Sequence, residues 1–211
     1  MLGHRPRRAA TASPAAAERR RLGDLLGQGP EAAARSLLGT VLVRRLGART
    51  LAARIVEVEA YLGEDDPAAH AFRGRTARNA PLWGPPGTLY VYFIYGMHYC
   101  LNFAVDREGT AGCVLIRAAE ALQGLEPGAA TGPGRLCRAL GIDTRLSGRH
   151  LFEPASALTL REGTPARHVG VSARIGIRQA ADRPLRFFDA DSAAVSPFRA
   201  RAAYALPAAR R

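Results

Sequence analysis

The densest group of polar side chains lies at the end of the first third of the chain. It contains carboxylates, one tyrosine and one histidine, namely Glu57, Glu59, Tyr61, Glu64, Asp65, Asp66 and His70. Carboxylate and imidazole groups together can bind a hard divalent cation, as a metal-dependent nuclease requires. For that chemistry the candidate ligands are Glu57, Glu59, Asp65 and His70. Alternatively, one carboxylate acts as a general base while aromatic rings hold the substrate.

Glu59 is the carboxylate in this group whose surroundings are hardest to explain by solvation alone. It stands between Val58 and Ala60 in an apolar stretch, where an unpaired carboxylate is costly to bury. The three acidic residues at 64–66 are instead expected to solvate a loop. The sequence therefore singles out Glu59 as the candidate base.

Aromatic residues are concentrated in the stretch GTLYVYFIYGMHYCLNFAV, residues 87–105, which holds four of the six tyrosines. Such clustering could serve burial, membrane insertion or stacking on nucleobases. A transmembrane helix needs about 20 mostly apolar residues, and Gly96, His98 and Asn102 interrupt this run. Its aromatic and β-branched content predicts a β-hairpin with Gly96 at the turn. In that hairpin Cys100 and Asn102 face the same side of the second strand.

The segments before the hairpin must position the polar group. Residues 30–39 predict a helix, with proline near its start and glycine as its stop. TVLVRRL, residues 40–46, and TLAARIVEVEAYL, residues 50–62, predict strands. In the second strand, alternation predicts one face made of Ile55, Glu57, Glu59 and Tyr61. Residues 64–86 predict a long loop, of a length that is often functional.

Three further segments complete the predicted elements. AGCVLIRAAEAL, residues 111–122, predicts a strand running into a helix. TGPGRLCRALGI, residues 131–142, predicts a short helix entered through a Gly-Pro-Gly turn. The tail, residues 171–196, predicts a strand, a loop and a second strand.

Composition bounds the class of protein. At 211 residues the chain fits one domain with a substantial core. The net charge of +12 favours a polyanionic partner, with nucleic acid as the first candidate and an anionic membrane surface as the second. Residues 1–20 lack apolar periodicity and predict a disordered basic arm. Three cysteines without paired spacing, and no apolar leader, indicate a reducing, intracellular location.

The motifs, taken in order, resemble the alkyladenine (3-methyladenine) DNA glycosylase family. They are RIVEVEAYLGEDDPAAHAFRGRTARNAPLWGPPGTLYVYFIYGMHYCLNFAV, GCVLIRAAEAL and GPGRLCRALGI. The resemblance implies an α+β fold over residues 21–211, with a curved antiparallel sheet, surrounding helices and a protruding hairpin, similar to the C-terminal domain of formyltransferases. It also implies a base-excision repair enzyme that flips a damaged purine from duplex DNA and hydrolyses its N-glycosidic bond.

The resemblance also implies roles for individual residues. Glu59 corresponds to the general base that activates water, and Arg117 to the arginine that helps hold the water and the carboxylate. Tyr61, His70 and Tyr92 correspond to the side chains that line the pocket and sandwich the flipped base.

Four more roles follow from the same resemblance. Asn102 corresponds to the residue that excludes the exocyclic amino group of guanine, although its amide could instead cap a neighbouring backbone group. Tyr95 corresponds to the side chain that enters the duplex and fills the vacated space. Met97 and Arg135 correspond to further DNA contacts.

The implied enzyme needs no cofactor and no metal. Its partner is double-stranded DNA containing damaged purines, and it works as a monomer in the cytoplasm on nucleoid DNA, away from the membrane. Strand cleavage by a Schiff base usually needs a lysine. The chain has none, so strand cleavage would have to rest on the N-terminal amine alone, and the sequence predicts a monofunctional glycosylase. The alternatives are the metal-dependent nuclease and a noncatalytic, lesion-sensing DNA-binding protein.

Overall fold

The computed structural model describes residues 13–197, in which an eight-stranded antiparallel sheet is the main element. The sheet curls into a half-barrel. Its strand order is β3-β4-β5-β2-β1-β6, and β8 pairs with both β2 and β7. The strands are β1 (Val41–Leu46), β2 (Arg49–Tyr61), β3 (Leu89–Ile94), β4 (His98–Ala104), β5 (Cys113–Gln123), β6 (Leu158–Arg161), β7 (Val169–Ser172) and β8 (Arg186–Asp189). The predicted α+β class and curved antiparallel sheet are confirmed.

The long strand β2 runs through the centre of the sheet and carries a β-bulge. Its pairing with β5 shifts register on both sides of Glu57, and an extra residue in a strand reverses the alternation of side chains beyond it. Ile55 therefore packs in the same buried core as Val58 and Ala60. The predicted shared face of Ile55 with Glu57 and Glu59 is wrong, because the bulge separates them.

Three helices cover the sheet in the described part of the chain. They are α1 (Pro14–Leu26), α2 (Pro30–Leu37) and α3 (Pro133–Ala139). Each begins with proline at its first or second position, where the missing N–H costs no hydrogen bond. The predicted helices at residues 30–39 and 131–142 are confirmed.

The folded domain begins earlier in the chain than predicted, because α1 starts at Pro14 and not after residue 20. Ser13 caps the helix by accepting a hydrogen bond from the Ala16 N–H. The carboxylate of Glu18 accepts a hydrogen bond from the Glu162 backbone N–H, at 2.9 Å. Residues 14–20, predicted as part of a disordered arm, therefore belong to the folded domain, and residues 1–12 of that arm lie outside the described residues.

Strand β5 replaces a predicted helix. The stretch at residues 111–122 was expected to turn helical after its first half, yet β5 stays extended to Gln123. The reason is its partner, because β5 pairs with β2 as far as Ala52 and Ala53. This long ladder outweighs the helical propensity of alanine, which is a weak preference.

The predicted hairpin is present as β3 and β4. Tyr95 and Gly96 lie in its turn with φ of 55° and 66°, and the left-handed conformation is the one that tight hairpin turns demand. Leu101 and Phe103 point into the main core. The tip side chain of Tyr95 projects into solvent and is 77% exposed.

A second, smaller apolar cluster supports the loop at residues 64–86. Its buried members are Ala71, Leu82, Trp83, Tyr90, Ala111 and Cys113. Two short 3₁₀ turns, Gly63–Asp65 and Ala80–Trp83, lie at the start of this loop and near its end. The cluster packs the loop against the sheet near the C-terminal end of β2, which carries the polar residues Glu57, Glu59 and Tyr61. No helix within residues 13–197 has the length and apolar character to cross a membrane.

Candidate active site

A cavity of about 350 Å³ opens beside the hairpin, between the sheet and the loop that contains Ile175. Six of the nine predicted site residues line it: Tyr61, His70, Tyr92, Tyr95, Asn102 and Arg117. They come from four separate regions, namely β2, the loop at residues 64–86, the hairpin and β5. The fold therefore brings together residues that the sequence places up to 56 positions apart, from Tyr61 to Arg117.

Glu59 lies beneath this lining with no exposed surface. Its Oε2 accepts a hydrogen bond from the Tyr61 hydroxyl at 2.9 Å, and its Oε1 accepts one from the Ile175 N–H at 2.7 Å. The Nη1 of Arg117 lies 3.1 Å from Oε1. Burial raises the pKa of Glu59, while Arg117 and the two hydrogen bonds act against this rise. Every group that bonds Glu59 also lines the cavity.

Glu57 occupies the adjoining position as the centre of an ionic network. Its Oε1 accepts hydrogen bonds from Arg117 Nε at 2.8 Å, from Arg186 Nε at 2.7 Å and from the Ser196 hydroxyl at 2.8 Å. Its Oε2 accepts one from the Ser196 N–H. Burial alone would raise the pKa of Glu57, but Arg117, Ser196 and Arg186 together lower it. Glu57 thus stays ionised and fixes Arg117 beside Glu59.

Aromatic rings form one wall of the cavity. The His70 ring centroid lies 4.4 Å from that of Tyr92, and His70 Nδ1 lies 2.8 Å from the Tyr90 hydroxyl. Asn79 holds the loop in place by donating a hydrogen bond to the His70 carbonyl oxygen. Desolvation and the nearby Arg78 lower the pKa of His70, so its imidazole is neutral at neutral pH. This wall therefore offers flat rings without a positive charge.

Asn102 lies in the cavity lining with its amide held on both sides. Its Nδ2 donates a hydrogen bond to the Tyr90 carbonyl oxygen at 3.2 Å. The Cys113 Sγ lies 3.9 Å from its Oδ1, and burial raises the pKa of Cys113 to about 12, so the thiol keeps its proton. Asn102 therefore caps a backbone group, as one sequence interpretation held, and also borders the cavity.

The remaining two predicted DNA contacts, Met97 and Arg135, are next to lining residues in the chain but do not line the cavity themselves. Met97 follows the hairpin turn and is 69% exposed. Arg135 is exposed on α3 and donates a hydrogen bond to the Gly128 carbonyl oxygen. Its neighbours Pro133 and Gly134 line the cavity.

Comparison with known proteins identifies the family to which this chain belongs. The sequence profile of methylpurine-DNA glycosylases matches residues 24–193. This chain belongs to the methylpurine-DNA glycosylase family. A relative from Koribacter versatilis is 48% identical over 79% of this chain and 88% of its own length. Relatives from Myxococcus xanthus and Nocardia farcinica are 47% and 46% identical, over 77% and 81% of this chain and 86% and 87% of their own lengths. All three are named as 3-methyladenine DNA glycosylases.

The family assigns the enzyme class, a DNA glycosylase and therefore a hydrolase. The metal-dependent nuclease finds no support in the placement of its proposed ligands. Both Glu57 oxygens accept hydrogen bonds from arginine or serine, and Asp65 is exposed on the loop. Within the described ranges, no group of three or more His, Cys, Asp or Glu side chains is arranged to hold a metal ion.

A buried ion pair behind the cavity lining, formed by Asp66 and Arg174, was not predicted from the sequence. Asp66, expected to solvate the loop, is instead fully buried and paired with Arg174. That expectation is wrong because the partner lies 108 residues away, so no local spacing could reveal it. The only usable sequence signal was the acidic residue in a loop that follows a buried strand.

Proposed function

We propose that this glycosylase flips an alkylated or deaminated purine out of duplex DNA and hydrolyses its N-glycosidic bond with water activated by Glu59. The observation that carries the proposal is a buried carboxylate bonded by Arg117 and Tyr61, two residues that line a cavity walled by aromatic rings. Flipping costs a few kcal/mol, and least for a damaged or mismatched base. An aromatic cavity offsets part of that cost by stacking, worth about 1–3 kcal/mol per base.

The chemical step follows from the position of the carboxylate. The water oxygen bonds to C1′ of the sugar, the electron pair of the broken bond leaves with the purine, and the water proton passes to Glu59. Positive charge develops on the sugar, and an ionised carboxylate nearby stabilises it. Arg117, fixed by Glu57 at 2.8 Å, favours the ionised form of Glu59.

Selection among bases has an electrostatic part in this proposal. Alkylated purines that carry positive charge are attracted to ring faces by roughly 0.5–2 kcal/mol. Tyr61, Tyr90 and Tyr92 supply such faces. His70, neutral at neutral pH because its pKa is lowered, does not repel a cationic base.

The proposed product is an abasic site in an intact strand, since the chain has no lysine to form a Schiff base. Incubation of a duplex with one hypoxanthine in the presence of a chelator should give an unbroken strand. That strand should be cut only after alkali treatment. A strand nicked directly, or activity lost with the chelator, would favour the nuclease instead.

Tyr95→Ala should weaken base flipping and lower affinity for a duplex with an abasic site. Its side chain stands 77% exposed at the hairpin tip, where it can fill the space left by a flipped base. The measurements are fluorescence of 2-aminopurine beside the lesion and the Kd for abasic DNA. Phe93→Ala, which removes an exposed ring from the same hairpin, is the matched control. Unchanged flipping and unchanged Kd would make Tyr95 an ordinary hairpin residue.

Asn102→Ser should give measurable release of undamaged guanine, most readily from mispairs, where flipping is cheapest. Asn102 borders the cavity with its amide held by the Tyr90 carbonyl, so its bulk can meet the amino group on C2 of guanine, a position at which adenine and hypoxanthine carry only hydrogen. The measurement is single-turnover guanine release from a mismatched duplex, with hypoxanthine excision as a folding control. Persistent hypoxanthine excision with background guanine release would show that Asn102 only caps the backbone.

A further inference from the structure

Arg174 and Asp66 form a buried ion pair behind the cavity wall. The exposed fractions of the two residues are 3% and 0%. Arg174 Nη2 donates a hydrogen bond to Asp66 Oδ1 at 2.9 Å, and Nη1 bonds both Asp66 Oδ2 and the Ala60 carbonyl oxygen. Asp66 also accepts hydrogen bonds from the Leu62 and Ala68 N–H groups. The pair therefore joins the loop after β2 to the distant segment that contains Arg174.

Arg174 lies next to both of the groups that donate hydrogen bonds to the candidate base from its own side of the cavity. The Arg174 guanidinium carbon lies 4.5 Å from the centroid of the Tyr61 ring. The next residue, Ile175, donates its N–H to Glu59 Oε1 at 2.7 Å, and Tyr61 donates its hydroxyl to Glu59 Oε2 at 2.9 Å. Arg174 is thus adjacent in the chain to one donor to Glu59 and stacked on the ring of the other.

We propose that Arg174, anchored by Asp66, is a positioning residue that holds the Tyr61 hydroxyl and the Ile175 N–H on the Glu59 carboxylate. The inference rests on the proposed role of Glu59 as the base. It adds the ion pair that positions the two hydrogen-bond donors to the Glu59 carboxylate. A planar guanidinium suits this task because it can stack on a ring and bind a carboxylate through two N–H groups at once. Arg174 touches no reacting atom and acts through Tyr61 and Ile175.

The proposal has a consequence for the pH dependence of the reaction. Hydrogen bonds donated to a carboxylate favour its ionised form, so loss of the two donors would raise the pKa of Glu59 further above its already raised value. Because a general base must be ionised, the acid limb of the rate profile would move to higher pH. The charged or titratable groups that face Glu59 come from every element packed around it. They are Glu57 and Tyr61 on β2, Cys100 on β4, Arg117 on β5, Arg186 on β8 and Arg174 in the loop before Ile175.

The test compares Asp66→Asn and Arg174→Lys with the wild-type enzyme. Single-turnover excision of hypoxanthine is measured between pH 5 and 8, together with the Kd for abasic DNA and the melting temperature. The expected result is a rate reduced roughly 10- to 100-fold, as small misplacements at an active site produce, with the acid limb at higher pH and Kd unchanged. Arg174→Lys keeps the positive charge and provides a second variant if Asp66→Asn does not fold.

Asp189→Asn is the matched control, because Asp189 is also buried and paired with an arginine, Arg54, at 2.6 Å. Asp189→Asn should lower the melting temperature but leave the rate of hypoxanthine excision, and the pH at which that rate falls in acid, unchanged. If Asp66→Asn and Arg174→Lys behave like this control, the ion pair is only structural and the proposal is wrong. Failure of the proposed function would appear differently, as near-normal excision by Glu59→Gln.

Discussion

Glu59→Gln should reduce single-turnover excision of a damaged purine by at least about 100-fold, the contribution typical of a general base. The amide has nearly the same shape as the carboxylate but cannot take a proton from water. Binding of damaged DNA should persist, because Glu59 has no exposed surface and makes little ground-state contact with substrate. The measurements are base release under single-turnover conditions and the Kd for lesion-containing duplex.

The control for this variant is Glu64→Gln, which neutralises an exposed carboxylate on the loop after the same strand. It should excise at close to the wild-type rate. The melting temperature of both variants is needed, since the amide introduced by Glu59→Gln would face Arg117 without a charge. Excision by a folded Glu59→Gln enzyme at close to the wild-type rate would mean that Glu59 is not the base.

Glu57→Gln should lower the free energy of unfolding by about 3–5 kcal/mol, the loss typical of breaking a buried ion pair. Glu57 has no exposed surface, and its Oε1 accepts hydrogen bonds from Arg117 and Arg186. The substitution leaves those two cations without their shared anion and places an amide N–H₂ among groups that now donate to the carboxylate. The measurement is urea denaturation followed by circular dichroism.

The same variant has a predicted pH dependence. Because the fold lowers the pKa of Glu57, the stability that its ionisation contributes is complete above its unfolded pKa and is lost as pH falls through the folded value. The stability gap between wild type and Glu57→Gln should therefore be largest at neutral pH and shrink in acid. Glu120→Gln, a partly exposed partner of Arg54, is the control. A gap that stays constant from neutral to acid pH would contradict the role assigned to Glu57.

Local patterns were sufficient to predict the elements that build the cavity wall. The hairpin follows from aromatic and β-branched residues around Gly96, whose positive φ suits a tight turn. Cys100 and Asn102 face the cavity because alternation holds along β4. The position of Glu59 in a buried strand follows from its apolar neighbours.

Features that depend on distant partners could not be predicted in this way. The bulge beside Glu57 arises from pairing with β5, so alternation misplaced Ile55. The alanines of β5 favour a helix locally, yet the ladder with β2 keeps them extended. Asp66 looked like a solvated loop residue because its partner Arg174 lies 108 positions later.

The central claim is that this chain releases a damaged purine by hydrolysis in the cavity above Glu59. The most direct test is mass spectrometry of the products from a duplex with one hypoxanthine, with enzyme in excess and wild type compared with Glu59→Gln. The account predicts free hypoxanthine and an intact abasic strand in equal amounts from the wild type, and neither from the variant on the same time scale. Equal release by the two proteins, or a cleaved strand with the base still attached, would contradict it.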